Sequence, residues 1–588
     1  SDGKYLFFVS SRTFNPVYGQ TEWNHIYLDM SNIYLLTLAK GTKSPFEPKS
    51  DEVKVKPEGG GEKEEAGKKD EAKAPKKPMV VDLDGIQQRI TVLPVGAGDY
   101  GNIQSAEGKL YYIRSTTKDQ KAKLYLFDLE KQKETELGEF NGFEISADRK
   151  KMLVGGEGAF SVIDLPVGKI DAKERLNLSD MKMLVDRRAE WNQIFNEAWR
   201  QMRDFMFAPN LHGVDWLKMK QTYGQLLPYV NHRFDLTYII GEMIGELNIG
   251  HTYTGGGDAP RPARVQLGLL GAELERDPGS GAYRIVEILK GQNWDNSLRS
   301  PLTEIGVNVR TGEYIVAVDG RPTSAMKDIY ASLVNKAGKQ VTLKVNDSPK
   351  IAGARDVVVI PIPGERNLYY YNWVQKNIEK VSKATDGKVG YLHIPDMGSG
   401  GLNEFVKYYY PQFRKEALIV DVRGNGGGNV SSMIIERLRR ELAMITVARN
   451  TAISLDPNGV MVGPKVMLID EFSASDGDIV GYRFRKAKLG LLIGKRTWGG
   501  VVGIRGSWPL LDGGFLNCPE FSRFDTEGKE WTIEGKGVEP DIYVDNDPGR
   551  EYAGIDDQLD KAIEVIKEEL RKNPPKLPTP PPYPDKSK

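Results

Sequence analysis

Apolar and polar residues alternate in short runs along the N-terminal part of the chain, the pattern of half-buried strands. SDGKYLFFVSS starts at Ser1, SAEGKLYYIRS at Ser105 and SADRKKMLVGG at Ser146. Each is a polar turn followed by an apolar strand, and the last two lie 41 residues apart. LYLFDLE (Leu124–Glu130) and a charged turn fall between them. From about Leu176 the period lengthens. Trp191, Ile194, Phe195, Ala198, Trp199, Met202, Phe205 and Met206 share one face at helical spacing. Pro209 and Gly213 end that helix. A second is predicted over Trp216–Leu227. A third follows Asp235 as N-cap, runs to about Asn248 and is stopped by Gly250. Val265–Pro363 returns to strands: QLGLLGAEL, RIVEILKG, GEYIVAVDGRP and VTLKVND. From Lys388 continuous apolar runs (KVGYLHIPDM, ALIVDVR, KVMLIDE, LGLLIGK) alternate with helical patterns, which predicts a largely parallel, doubly covered sheet. A last helix, Asp556–Arg571, packs on it.

These patterns divide the chain into five parts. Strand repeats of about 40 residues are those of β-propeller blades. Two or three blades cannot close a ring, so residues 1–170 read as the last part of a propeller. They are interrupted at about 45–79 by a Lys/Glu/Gly/Pro stretch too polar to offset its ordering entropy. A charged linker between two small β domains fits the same pattern. Residues 171–260 form a helical domain. Residues 261–364 form a β unit that resembles a PDZ domain, with Gly268, Leu269, Leu270 and Gly271 as the loop whose N–H groups receive a peptide C-terminus. An inserted β domain without a ligand fits as well. Residues 365–572 form the α/β domain, and 573–588 a Pro-rich extended tail. The fold class is therefore multidomain α+β.

Composition narrows the function. Lys+Arg and Asp+Glu are both 81 among 588 residues, so no net field favours nucleic acid or an anionic membrane as partner. The single cysteine, Cys518, excludes an intrachain disulfide and a cysteine metal cluster. No apolar run reaches membrane-spanning length. The opening residues read as a turn and strand rather than a signal peptide, and a targeting segment on a longer precursor stays open.

Three loops after apolar strands carry the candidate chemistry. DVRGNGGGN (Asp421–Asn429) lets backbone N–H groups approach a ligand closely, yet lacks the spacing of a nucleotide loop. In DEFSASDGD (Asp470–Asp478), Ser475 stands between a strand and a helix start, where its hydroxyl is exposed and helix N–H groups face an oxyanion. WTIEGKGVEPDI (Trp531–Ile542) places Glu534 before a Gly-rich turn. A serine nucleophile needs a base. Of His25, His212, His232, His251 and His393, His251 is best placed, on a loop just past a helix. No HExxH, CxxC or GxSxG motif occurs.

VDVRGNGGG, SASDGDI, GKRTWGGVVGI (Gly494–Ile504) and EGKGVEPDI, in that order, resemble the tricorn proteases, which belong with the C-terminal processing peptidases of ClpP/crotonase-like fold. The succession of propeller end, helical domain, PDZ unit and α/β domain matches as well. The resemblance implies a serine peptidase acting on oligopeptides or unfolded polypeptides through an acyl-enzyme. Ser475 would be the nucleophile, with Ser473 as its rival, His251 the base, and Glu534 the residue that orients or charges the histidine. The N–H groups of Gly428 and Asp476 would form the oxyanion hole. It implies no metal or organic cofactor, peptide substrates, a homo-oligomer such as a hexamer, and a cytoplasmic setting, with export open if a leader precedes this sequence. Two positions depart from the family pattern. Gly250 stands where tricorn has a serine linking histidine to glutamate. Thr446 stands where tricorn has an acid selecting basic side chains, and Leu442–Asn450 contains none. The expected preference is therefore for apolar or small residues. Two other readings stay open: a catalytically inactive peptide-binding scaffold built on the propeller and PDZ units, and a crotonase-type enzyme acting on acyl thioesters.

Overall fold

The computed structural model describes residues 3–19, 25–47 and 79–587. The polar insert expected at 45–79 lies almost wholly outside the described residues. The chain forms two compact units, Ser1–Leu184 and Val185–Lys588.

The described strands of the first unit all pair antiparallel. Its central element is a four-stranded meander, Asp99–Ala106, Lys109–Ser115, Lys123–Asp128 and Lys133–Gly138, in sequence order. Three-stranded sheets include Tyr5–Ser11 and Ser31–Thr37 on one side of it in sequence, and Gly142–Ile145, Lys151–Gly156 and Ala159–Asp164 on the other. The three repeats read from the sequence supply the strands Tyr5–Ser11, Lys109–Ser115 and Lys151–Gly156. The meander's alternate residues face opposite cores: Tyr111 packs with Leu124, Leu126 and Phe143, Tyr112 with Leu110 and Phe127.

In the second unit the predicted helical stripe is buried at Ile194, Phe195, Ala198, Trp199 and Met202 of the helix Arg187–Phe205. Met206 lies just past its end and Phe205 stacks on Trp508 at 4.5 Å. The second helix is shorter than expected, Trp216–Gly224, and gives way to a 3₁₀ turn at Leu227–Tyr229. The third is Arg233–Gly245, and its N-cap is His232 rather than Asp235. His232 accepts from the N–H of Phe234, while the Asp235 carboxylate accepts from the N–H groups of His232 and Asn231. A capping box satisfies the helix start reciprocally, so the acid acts one turn inside it.

The PDZ-like region is a six-stranded antiparallel sheet in which Ala272–Arg276 is an edge strand. The C-terminal region is a five-stranded, all-parallel sheet in the order Val389–His393, Ala417–Asp421, Lys465–Ile469, Gly490–Gly494 and Ile542–Tyr543. Both faces are covered. Val420, Met467 and Leu492 meet the helices Ser431–Leu438 and Asp476–Lys486, and Ile419, Val466 and Ile493 meet Leu559, Ala562, Ile563 and Ile566 of the last helix, Asp557–Lys572. The continuous apolar runs follow from that double burial.

A small three-stranded sheet joins the helices to the parallel sheet's domain. Thr254–Gly256 pairs with Gly514–Asn517, which pairs with Ser507–Pro509. Leu510, Leu516 and Cys518 enter the helical core. Arg233 and Asp512 form an ion pair whose side chains are both about 99% buried, 2.5 Å apart. A buried pair of this kind costs desolvation and fixes one arrangement. Asp512 also accepts from the N–H of Asp258, which ties the chain beyond His251 to the pair.

Candidate active site

The strand Lys465–Ile469 ends on Asp470, and the helix Asp476–Lys486 starts six residues later. The turn between them is held from three sides. Asp470 accepts from the N–H of Gly424, Ala474 donates its N–H to the carbonyl of Asn425, and Trp498 donates its N–H to the carbonyl of Ser473. Ser475 is the last residue before the helix, with φ 59 and ψ −118. The Ser473 hydroxyl is fully buried and committed: it donates to the Val422 carbonyl at 2.9 Å and accepts from the N–H of Asp470 at 3.2 Å. Ser475 is half-buried, and its hydroxyl makes no hydrogen bond to any described residue.

The glycine loop lies against this turn. Gly427 has φ 97, and a Cβ there would stand 2.6 Å from the Ser475 Cβ and 3.1 Å from the Asp476 nitrogen. At Gly428 a Cβ would fall 2.1 Å from the Met397 carbonyl oxygen. Only glycine fits either place. The N–H groups of Gly428 and Asp476 have no hydrogen-bond partner among the described residues. The buried Asp476 carboxylate turns away from its own helix and accepts from the N–H and hydroxyl of Ser431, at 2.8 and 2.5 Å. It thereby ties the helix that follows the glycine loop to the serine turn. Asn425 shapes the loop from inside, accepting from Gly427 N–H and donating to the Ile394 carbonyl.

His251 follows the third helix of the second unit on a loop with φ 59. Its ring meets Trp498 edge-on at 5.8 Å and Tyr253 at 6.1 Å. Its Nδ1 is buried without a partner. Burial lowers its pKa below the ordinary 6.5, the nearby Glu534 carboxylate pulls it up, and Arg523 pushes it down. Glu534 is gripped by backbone. One oxygen accepts from Gly250 N–H at 3.3 Å, the other from Val501 and Val502 at 2.6 and 3.0 Å. A Cβ at Gly250 would sit 3.4 Å from the first oxygen, so a side chain at this position would lie beside Glu534.

The segment Trp498–Val502 touches both groups of residues. It bonds Ser473 through Trp498, packs on His251, and holds Glu534 through Val501 and Val502. Gly499 also donates to Asp478, whose burial in the first helical turn pushes its pKa up to about 6. The structure thus gathers His251, Glu534 and Trp498 in one cluster, and Ser475, Gly428 and Asp476 in an adjoining one. No hydrogen bond joins Ser475 to His251. Such bonds often form only with substrate in place.

Thr446 is exposed on the strand Met444–Thr446 paired with Ser454–Asp456, with no hydrogen bond to the serine turn among the described residues. In the PDZ-like loop, the N–H of Gly268 is taken by the Leu333 carbonyl and that of Leu269 by the Ile362 carbonyl. Leu270 is buried, and Gly271 donates to the Glu365 carboxylate at 2.7 Å. The other described histidines of this unit have structural bonds. His393 joins Tyr370 to the Arg423 carbonyl, His212 meets the Leu247 carbonyl, and His232 caps its helix. Among the described residues no cluster of His, Cys, Asp and Glu is suited to a metal, and no helix is long and apolar enough to cross a membrane. Sequence reasoning singled out neither Trp498 nor Asn425, although both lie inside motifs quoted above.

Comparison with known proteins accounts for most of the chain. Residues 1–166 match the tricorn protease second beta propeller domain, 187–245 the tricorn protease C1 domain, 268–363 the tricorn protease PDZ domain and 388–544 peptidase family S41. Tricorn protease homolog 1 of Streptomyces coelicolor is 34% identical over 605 residues, covering 98% of this chain and 55% of the relative. Tricorn protease of Thermoplasma acidophilum is 30% identical over 585 residues, covering 97% and 52%. The crystal structure of the tricorn protease superposes with a TM-score of 0.84 at 29% identity, covering 97% of this chain and 54% of that one. The chain therefore spans about half the length of the curated relatives it matches. The resemblance read from the sequence and the combination of propeller, PDZ and peptidase parts are borne out. The chain is tricorn-like along nearly its whole length and carries a peptidase family S41 module.

Proposed function

We propose that this chain hydrolyses peptide bonds of oligopeptides or unfolded polypeptides, with Ser475 as nucleophile. The observation that carries the reading is the Ser475 turn. A partly exposed, unbonded hydroxyl at a helix start is backed by glycines that leave two N–H groups unpaired beside it. The scissile carbonyl oxygen would rest on the N–H groups of Gly428 and Asp476, which are fixed before charge develops there. Ser475 Oγ attacks the carbonyl carbon while His251 removes its proton. The same proton passes to the leaving amine as the C–N bond breaks and an acyl-enzyme forms. Water, deprotonated by His251, then releases the acid. Glu534 stabilises the imidazolium by charge, and the ring's orientation comes from Trp498 and Tyr253. On this reading residues 1–170 end a propeller, 171–260 carry the base, 261–364 form the PDZ unit and 365–572 hold the nucleophile. Peptides with apolar or small side chains are preferred, since Thr446 supplies no charge. The substrate class, a cytoplasmic setting and a homo-oligomeric assembly form part of the same proposal.

Labelling with a serine-reactive phosphonate ester, read by peptide mapping, tests the assignment. The expected adduct is on Ser475, absent in Ser475→Ala and in His251→Ala. An adduct on Ser473 would move the nucleophile to that residue, and no adduct while peptides still bind would leave the scaffold reading in its place.

The pH profile carries an independent expectation. His251 acts as a base only when neutral, and burial already holds its pKa below 6.5. The acid limb of kcat/KM is therefore expected below that pH. Glu534→Gln removes the charge that favours the imidazolium, so the limb should move to still lower pH as kcat falls. A limb that stays put or moves up would remove Glu534 from this role.

A further inference from the structure

The edge strand Ala272–Arg276 pairs only with Tyr283–Ile288 among the described strands, so its outer rim is open to an added strand. At its head two successive backbone N–H groups point at one atom. Gly271 and Ala272 donate to the same oxygen of Glu365, at 2.7 and 3.4 Å. Gly271 has φ 73, and a Cβ would press on Ser300 and Pro301 at 3.0 and 3.1 Å, so this turn requires glycine. Leu270 is buried beside it, with Leu267 and Tyr330 packed partly buried over the same core. Paired N–H groups at the head of an open strand edge are the parts that receive the C-terminal carboxylate of a chain added as a strand.

Glu365 has a reason to be elsewhere. It is the N-cap residue of the helix Arg366–Ala384, yet its side chain makes no capping bond to that helix. It reaches instead across to the PDZ unit. The reciprocal backbone pair between Leu269 and Ile362, three residues earlier, delivers it there. Half-burial raises its pKa, and the two N–H bonds oppose that rise.

We propose that Glu365 is an internal ligand of the Gly271–Ala272 cradle, closing it against the C-terminal carboxylate of a peptide, which must displace Glu365 to bind. The exchange swaps one carboxylate for another on the same two N–H groups. A site open for only a fraction of the time binds with its affinity reduced by that fraction. Removing Glu365 therefore strengthens binding without adding a contact to the peptide. The proposal does not depend on the serine chemistry.

The test uses the full chain in a Ser475→Ala background, so that no turnover occurs. A fluorescein-labelled pentapeptide ending in leucine is titrated by anisotropy, as its free acid and as its C-terminal amide. Glu365→Ala is expected to tighten binding of the acid by about tenfold or more and leave the amide within twofold. Glu365→Gln, which keeps the side chain's size, should move the same way by less, and it decides the matter if the alanine variant fails to fold. Unchanged affinity for the acid, or equal gains for acid and amide, would overturn the proposal whatever the labelling of Ser475 shows.

Discussion

His251→Ala is expected to lose hydrolysis nearly as completely as Ser475→Ala, each by about 10⁴- to 10⁶-fold in kcat, with the double variant no slower than either. The reason lies in how the two groups share one step. The Ser475 hydroxyl has no other described partner to take its proton, since Asp478 in the first helical turn is turned to Gly499. No other described histidine of the unit is free: His212, His232 and His393 are each held by structural bonds. Without the base the serine is an ordinary alcohol, and without the serine the base has no proton to move. What survives is catalysis by the N–H pair and by substrate positioning. Steady-state rates on a fluorogenic peptide, with circular dichroism to verify folding, would measure it. Losses that multiply in the double variant, or a His251→Ala protein with a tenth of normal activity, would show that the two do not act as a unit.

Gly427→Ala should lower kcat/KM by at least about 10²-fold, the cost of misplacing an oxyanion donor. The added methyl would lie 2.6 Å from the Ser475 Cβ and 2.8 Å from the Ala474 carbonyl oxygen. Neither is the loose end of a flexible chain, so the loop or the serine turn must shift. With φ at 97 the alanine is also strained, by roughly 1–3 kcal/mol. The effect should fall on kcat more than on KM, because the displaced groups meet charge that exists only in the transition state. Near-normal kcat with an unshifted melting temperature would mean that the loop does not abut the nucleophile.

Four of the five strands of the parallel sheet were legible because burial on both faces makes them short, unbroken apolar runs, among them VGYLH, ALIVD and KVMLI, whereas the two-residue strand Ile542–Tyr543 is too short to show such a run. The serine turn was legible for the opposite reason, since a polar, Gly-containing stretch between strand and helix has no packing role to explain it. What the sequence hid is non-local. Thr254–Gly256 pairs with Gly514–Asn517 some 260 residues away, and nothing in either segment names the other. Arg233 and Asp512 lie 279 residues apart, and nothing in the sequence around either signals the pair that the fold buries. Asp235 looked like a cap and His232 did not, because capping statistics favour the short acid. Glu365 was missed because its partners, the N–H groups of Gly271 and Ala272, lie more than 90 residues away.

The backbone of Ser475, at φ 59 and ψ −118, lies where glycine is at ease and a serine is not. Such a residue costs on the order of 1–3 kcal/mol and persists only when its surroundings over-determine it. Here the restraints are a buried strand on one side, a helix on the other, and bonds to Asn425, Gly424 and Trp498 between. The sheet's packing is therefore not surplus. Part of it is permanently committed to keeping one residue bent, which narrows the margin for mutation in strands far from any substrate.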